Sequence, residues 1–174
     1  MKERKKALTH GEVTLRAISD ADEAEMLELL TSDAVAETFM LPEYSSREEA
    51  MPLFRRLCEM SSDPAKFVYG IFTDHLVGLL NEVEITGDSI ELGYAIVPSE
   101  WGKGYATGAL TVAISELFRI GYTAVRAGAF EGNDASLRVM EKSGMRRKKM
   151  TASVEYRGKT HPCIYYEIKK DQVL

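Results

Sequence analysis

The apolar pattern of this chain changes its period after Val97, and that change limits the possible folds more than any other feature. Residues 66–73, 76–86 and 89–97 read as consecutive antiparallel strands. The next run has a helical period, with an apolar stripe over residues 104–120, and a further strand follows at 122–130. A helical crossover joins strands that run parallel. We therefore predict a mixed sheet in which the strands on either side of this helix are parallel.

The flanking segments extend the same sheet. One early helix has capping-box spacing at Ser46 and Glu49 but contains Pro52, so it either kinks there or begins later than the cap suggests. The fold class predicted is α+β, with a central mixed, mostly antiparallel sheet of about seven strands and about four helices. The flanking elements are a strand at 13–18, helices at 20–30 and after Ser46, a helix at 134–144, and strands at 145–156 and 160–168.

Length and composition favour one globular domain over residues 1–174, with residues 1–10 predicted as a flexible basic N-terminus. The net charge of −5 argues against a nucleic-acid partner. No apolar run approaches the ~18 residues of a membrane helix, so no membrane partner is predicted. The two cysteines and three histidines have no metal-ligand spacing, so no metal is predicted. A cytoplasmic location is the default expectation.

The segment between the last antiparallel strand and the central helix carries the chemistry. Four of the thirteen glycines fall between Gly93 and Gly108. A helix start presents unpaired backbone N–H groups, and glycines let a phosphate approach them closely. The pattern indicates a phosphate cradle, although a plain glycine-rich turn would look the same. A Walker A motif needs a lysine after the last glycine, and the dinucleotide motif G-x-G-x-x-G fails because its sixth position is Thr107.

Two blocks resemble the GNAT N-acetyltransferase family. Residues 101–106 resemble its pyrophosphate loop, and the run from Asn133 to Met145 is similar to its second block, N-x-x-S followed by K-x-G-[FM]. The strand at 91–94 and the hairpin at 156–159 look like the branch of Rim-type ribosomal-protein N-terminal acetyltransferases. The resemblance covers nearly the whole chain. It implies a GNAT-like fold with a V-shaped splay between two central parallel strands, and acetyl-CoA as the acyl donor.

The resemblance also assigns the cofactor-binding residues. The CoA diphosphate would lie on the amides of the loop, the pantetheine arm would extend along the strand end, and two residues of the second block would flank the arm. The residues so assigned are Ile96, Val97, Trp101, Gly102, Lys103, Gly104, Tyr105, Ala106, Thr107, Asn133 and Ser136.

Direct transfer to a primary amine requires a group that removes a proton from the ammonium. Glu91 is the preferred general base because it shares a strand face with small residues, and Glu82, Glu84 or a water are the alternatives. Many family members protonate the leaving thiolate with a tyrosine at the position of Met140. Methionine cannot donate a proton, so Ser136, or a water, is expected to take this role.

The sequence does not distinguish between possible acceptors of the acetyl group, which include a protein N-terminus, a polyamine, an aminoglycoside or another small amine. Residues 19–49 hold ten acids and one base, and residues 138–150 hold six bases and one acid. These flanks would favour a cationic amine and the CoA phosphates respectively. The alternative functions are a non-catalytic acyl-CoA-binding sensor or interaction module and, third, a nucleotide-binding regulator. A homodimer is expected only by resemblance.

Overall fold

The computed structural model describes residues 2–173, which form one eight-stranded mixed sheet and five α-helices. The spatial strand order is β1-β2-β3-β4-β5-β6-β8-β7. Every neighbouring pair is antiparallel except β5 and β6. In chain order the elements are β1 (Ala7–His10), β2 (Val13–Arg16), α1 (Glu23–Leu30), α2 (Asp33–Ala36), α3 (Arg47–Ser62), β3 (Val68–Phe72), β4 (Leu76–Thr86), β5 (Ser89–Ile96), α4 (Tyr105–Ile120), β6 (Ala124–Phe130), α5 (Asp134–Lys142), β7 (Arg146–Tyr156) and β8 (Lys159–Lys169).

The two parallel strands separate part of the way along their length. They pair only as far as Leu92 and Ala127, yet β5 continues to Ile96 and β6 to Phe130. Beyond the last pair, the facing edges of residues 93–96 and 128–130 are no longer joined to each other. This gap is the predicted V-shaped splay, and it gives the sheet a cleft at its centre.

The helices bury the sheet around this cleft. Helix α4 packs on β1, β2, β5 and β6, while α1 packs on β4 and α3 on β3. All five residues of β3 are buried, so both faces of the sheet are covered there. The apolar stripe of α4 includes Leu110, Ala113 and Leu117, which have no exposed surface. The apolar stripe predicted from the sequence is therefore the buried face of this helix.

The start of the chain differs from the predicted flexible terminus. Residues Ala7–His10 form the edge strand β1, and Arg4 is buried. The Arg4 guanidinium donates to the carbonyls of Ser61 (2.6 Å) and Asp63 (2.9 Å) at the end of α3, and it lies 4.4 Å above the Tyr69 ring. A helix C-terminus carries partial negative charge and unpaired carbonyls, so a basic residue is stabilised there.

Two further differences concern the early helices. The short helix α2 was not predicted, because four residues carry no readable period. Helix α3 begins at Arg47, directly after its Ser46 cap, and continues through Pro52, so its start is not delayed. Within residues 2–173, no helix is long and apolar enough to cross a bilayer.

Candidate active site

The loop before α4 has the backbone geometry that its glycines predict. Gly102 and Gly104 have φ angles of 77° and 83°, in the left-handed region that other residues avoid. A Cβ atom added to either residue would meet nothing within 4 Å, so the space in front of the loop is open. The glycines are therefore required by the turn of the chain, and the turn leaves room for a ligand.

The first amides of α4 are free to bind an anion. The Gly108 amide donates to the Gly104 carbonyl (3.1 Å), whereas the amides of Tyr105, Ala106 and Thr107 lie too early in the helix to have an intrahelical acceptor. Among residues 2–173, no side chain caps this helix. Unpaired N–H groups at the positive end of a 16-residue helix suit a diphosphate, so the loop fits the phosphate portion of CoA.

Trp101 ties this loop to the end of β5. Its indole N–H donates to the Ile96 carbonyl at 2.7 Å. The Val97 amide donates in the other direction, to the Val77 carbonyl on β4. The Ile96 C=O and the Val97 N–H belong to one trans peptide group and point to opposite edges of the strand, so the Ile96 carbonyl faces the splay and the Val97 amide faces β4. Ile96 lines the cavity and Val97 does not, and contact of either residue with the pantetheine arm stays a prediction.

A cavity of about 520 Å³ joins the loop to the splay. Its wall includes most of the predicted cofactor-binding residues, except Val97 and Lys103, and the predicted base Glu91 also lies outside it. The Lys103 side chain is half exposed, and its ammonium pairs at 2.7 Å with Glu100, which does line the cavity. The predicted residues that line the cavity are Ile96, Trp101, Gly102, Gly104, Tyr105, Ala106, Thr107, Asn133 and Ser136.

Helix α5 supplies the opposite wall. Asn133 caps the helix by accepting the Ser136 amide (3.3 Å), which places the Ser136 hydroxyl on the first turn beside the cavity. Arg138 and Lys142, one turn apart, also line the cavity. The basic run at residues 138–150 therefore contributes two cations, Arg138 and Lys142, to this wall. The charge pattern predicts that such cations favour the phosphates of CoA.

Tyr94 is a site residue that sequence reasoning missed. Its hydroxyl lies 2.8 Å from the Ser136 hydroxyl, and both side chains line the cavity. Burial raises the pKa of Tyr94 to about 12, although the hydrogen bond with Ser136 opposes the shift. Tyr94 therefore stays protonated at neutral pH. It was overlooked because it falls on the apolar face of β5, where an aromatic residue reads as core.

Met140 cannot take part in this wall. Its side chain has no exposed surface and belongs to the hydrophobic core. The residue at the family's usual tyrosine position is thus a packing residue in this chain. Among the described residues, the hydroxyl group that is hydrogen-bonded to the Ser136 hydroxyl comes from another element, and it belongs to Tyr94 on β5.

The predicted bases lie near the parallel pair. Glu91 is half-buried and stands in register with Arg126 on β6, just before the strands separate. Burial raises the pKa of Glu91, the Arg126 guanidinium opposes this shift, and Glu84 adds to it. Glu84 is 64% exposed, with its carboxylate 3.6 Å from Arg126. The Glu82 carboxylate has other partners, since it accepts a hydrogen bond from the Phe67 amide (2.8 Å) and forms a salt bridge with Lys66 (3.2 Å).

No thiol nucleophile is available at the cavity. Cys58 and Cys163 are absent from its wall, and burial raises the pKa of both thiols. A thiol with a raised pKa holds little thiolate at neutral pH, and the thiolate is the reactive form. Residues 2–173 also contain no cluster of side chains that could hold a metal ion.

Comparison with known proteins agrees with this geometry. The uncharacterized N-acetyltransferase YoaA of Bacillus subtilis is 24% identical over 152 residues, covering 84% of this chain and 86% of that protein. The spermidine N-acetyltransferase from Vibrio cholerae, solved with CoA and spermine, superposes with a TM-score of 0.77 at 20% identity, covering 93% of this chain and 98% of that one. RimL, a ribosomal alpha-N-protein acetyltransferase solved with coenzyme A, gives 0.79 at 20% identity, with 92% and 96% covered.

At such identities the structural matches establish the fold alone. The family match is more specific, since the model described as an acetyltransferase (GNAT) domain matches residues 12–146, which include the whole of the cavity wall. Because this match spans most of the chain, the protein belongs to the GNAT acetyltransferase family and is an acetyl-CoA-dependent acyltransferase.

Proposed function

We propose that this protein transfers an acetyl group directly from acetyl-CoA to a primary amine, either a protein N-terminal α-amine or a small-molecule amine. One observation carries the proposal: a single cavity extends from the open amides of α4 to the separated edges of β5 and β6. Acetyl-CoA supplies an activated thioester. Both cysteines lie outside the cavity wall and burial raises the pKa of their thiols, which favours a transfer without an acyl-enzyme.

The residues of the loop and of α5 hold the donor. The amides of Tyr105, Ala106 and Thr107 bind the diphosphate, and Arg138 and Lys142 add positive charge on the other wall. Unpaired backbone groups at the edge of β5 orient the acyl arm, and N–H groups there stabilise negative charge on the carbonyl oxygen during transfer.

Glu91 acts as the general base, directly or through one water. It lies outside the cavity wall but two residues before Gly93, which is part of that wall. Burial raises the pKa of Glu91, which makes it a better proton acceptor than an ordinary carboxylate. Glu84 is a weaker alternative because it is more exposed, and Glu82 is a weaker one because its carboxylate is bonded to the Phe67 amide and to Lys66.

Ser136 gives its hydroxyl proton to the departing sulfur and regains a proton from solvent, while Glu91 releases to solvent the proton that it took from the amine. The Ser136 hydroxyl lines the cavity and is hydrogen-bonded to Tyr94. The raised pKa of Tyr94 makes it a weak acid, so its main contribution is to hold the serine hydroxyl in one rotamer.

Two relatives support an amine as the acceptor. One is named for spermidine and was solved with spermine, and the other for a ribosomal protein N-terminus. Phe39, Thr38 and Val35, from α2 and the segment after it, line the cavity and form its acceptor-side wall. An acceptor entering beside them approaches the splay from the face on which Glu91 lies.

The test is CoA release from acetyl-CoA over a panel of polyamines, aminoglycosides and N-terminal peptides. We expect turnover with at least one class, and Glu91→Gln should reduce kcat about 100-fold or more, as loss of a general base does. Glu84→Gln is the matched control, because it removes a neighbouring carboxylate of the same charge cluster and should leave most of the activity. Tight acetyl-CoA binding with no turnover on any amine would instead favour a non-catalytic acyl-CoA sensor.

A further inference from the structure

The Tyr156 hydroxyl, at the tip of the β7–β8 hairpin, lies among backbone groups of a distant segment. It is 2.8 Å from the Ala36 carbonyl, 3.2 Å from that of Leu41 and 3.3 Å from that of Phe39. It also accepts the Leu41 amide at 3.1 Å. The adjacent Arg157 guanidinium donates to the carbonyls of Leu41 (3.4 Å) and Pro42 (3.2 Å). We call residues 36–42 the acceptor segment.

The acceptor segment has little regular structure to hold it. Between the end of α2 at Ala36 and the start of α3 at Arg47 lie ten residues without helix or strand. Backbone hydrogen bonds from Thr38 and Phe39 reach Val35, but none is recorded for residues 40–42 with other backbone groups of residues 2–173. The hairpin tip therefore satisfies the polar groups of a segment that would otherwise depend on water.

This segment forms part of the cavity. Thr38 and Phe39 line it, and Phe39 covers Gly93 on β5: a Cβ added there would lie 3.4 Å from the Phe39 ring. The position of Phe39 consequently sets the width of the opening beside the diverging strands. Any group that fixes the acceptor segment also fixes this width.

The same tyrosine is anchored to the other side of the cleft. The Phe130 ring, at the end of β6, stacks on His161 at 4.4 Å and lies 5.8 Å from the Tyr156 ring. Phe130 directly follows Ala129, which lines the cavity. Tyr156 thus links the β6 edge of the splay to the acceptor segment, through partly buried aromatic packing and a hydroxyl with several partners.

We propose that Tyr156 is a positioning residue for amine recognition: its hydroxyl holds the acceptor segment against the cleft and so sets which amines fit beside Phe39. The inference rests on the proposed function, because it concerns the acceptor of that reaction. Tyr156 itself is absent from the cavity wall, so it acts through Phe39 and Thr38. Within residues 2–173, none of the hydrogen bonds or ring contacts of Tyr156 involves the glycine loop before α4, so donor binding should be independent of it.

The test compares Tyr156→Phe with Tyr122→Phe. Tyr122 is a matched control because it is buried, and its hydroxyl makes no hydrogen bond within residues 2–173. For Tyr156→Phe we expect KM for the best amine of the panel to rise roughly fivefold or more, as loss of a partly buried hydroxyl with several partners does. The KM for acetyl-CoA should change less than about twofold, and selectivity between a short alkylamine and spermine should narrow.

Amide hydrogen exchange provides a readout that does not require turnover. In Tyr156→Phe the exchange of residues 36–42, and of the Leu41 amide above all, should accelerate, whereas α4 should keep its protection. Unchanged exchange of residues 36–42, or equal rises in both KM values, would overturn the inference. Faster exchange of these residues in an enzyme that acetylates no amine would support the link and refute the proposed function instead.

Discussion

Gly104→Ala should distinguish the contribution of the glycine loop to stability from its contribution to CoA binding, because the structure predicts a small loss of stability and a larger loss of affinity. Gly104 has a φ of 83°, and a Cβ there would meet nothing within 4 Å. The penalty is therefore backbone strain, about 1–2 kcal/mol, partly offset by roughly 0.5–1 kcal/mol from the lower entropy of the unfolded chain. The net loss of about 1 kcal/mol corresponds to a decrease in Tm of about 2–4 °C for a chain of this size.

The effect on donor binding should be larger. Relief of the strain would rotate the first amides of α4 away from their shared direction. Losing one charge-assisted hydrogen bond to a phosphate costs about 1.5–3 kcal/mol, so the Kd for CoA should rise about 10- to 100-fold. Isothermal titration with CoA measures this Kd, and a thermal melt measures the stability.

Gly87→Ala is the matched control for that experiment. Gly87 lies in the turn between β4 and β5, with a φ of 62° and nothing within 4 Å of an added Cβ, and it is absent from the cavity wall. It should lose a similar amount of stability and keep the affinity for CoA. If both variants weaken CoA equally, or if Gly104→Ala binds CoA like the parent, the diphosphate is not held by the start of α4.

Three further predictions each concern the substitution of one residue of the site. Trp101→Phe keeps an aromatic ring but removes the 2.7 Å bond to the Ile96 carbonyl, so calorimetry should show CoA binding weakened about fivefold, the value of one ordinary hydrogen bond. Tyr94→Phe frees the Ser136 hydroxyl, so steady-state kinetics should show kcat falling while the KM for acetyl-CoA stays within about twofold. Glu91→Gln should raise Tm at pH 7–8, because burial raises the folded-state pKa of Glu91 and its charged form weakens the fold above that pKa. Thermal melts should show the gain vanishing in acid, where both side chains are neutral.

The long elements could be predicted from the sequence because their patterns are local. The period change after Val97 correctly placed β5, α4 and β6, and the helical crossover required the β5–β6 pair to be parallel. The elements that were missed are short or depend on distant partners. Helix α2 has four residues, and β1 forms because β2 and the end of α3 provide bonding groups for a basic terminus.

The loop of the site was predictable for the same reason. A φ above zero at Gly102 and Gly104 and a free helix start are consequences of local residue types. The residues of the Tyr94–Ser136 contact are 42 positions apart in the sequence and those of the Tyr156–Leu41 contact are 115 apart, so no local pattern predicts either contact. The environment of Glu91 likewise depends on Arg126, which the parallel pairing brings into register.

Taken alone, the order of residues determined the class of fold, the start of the central helix and the type of ligand that such a start binds, because backbone conformation responds to near neighbours. Only the tertiary structure decided where the parallel strands separate, which hydroxyl supports Ser136 and what holds the acceptor segment. Those features arise from the packing of segments far apart in the chain, and each depends on distances that no neighbouring residues specify.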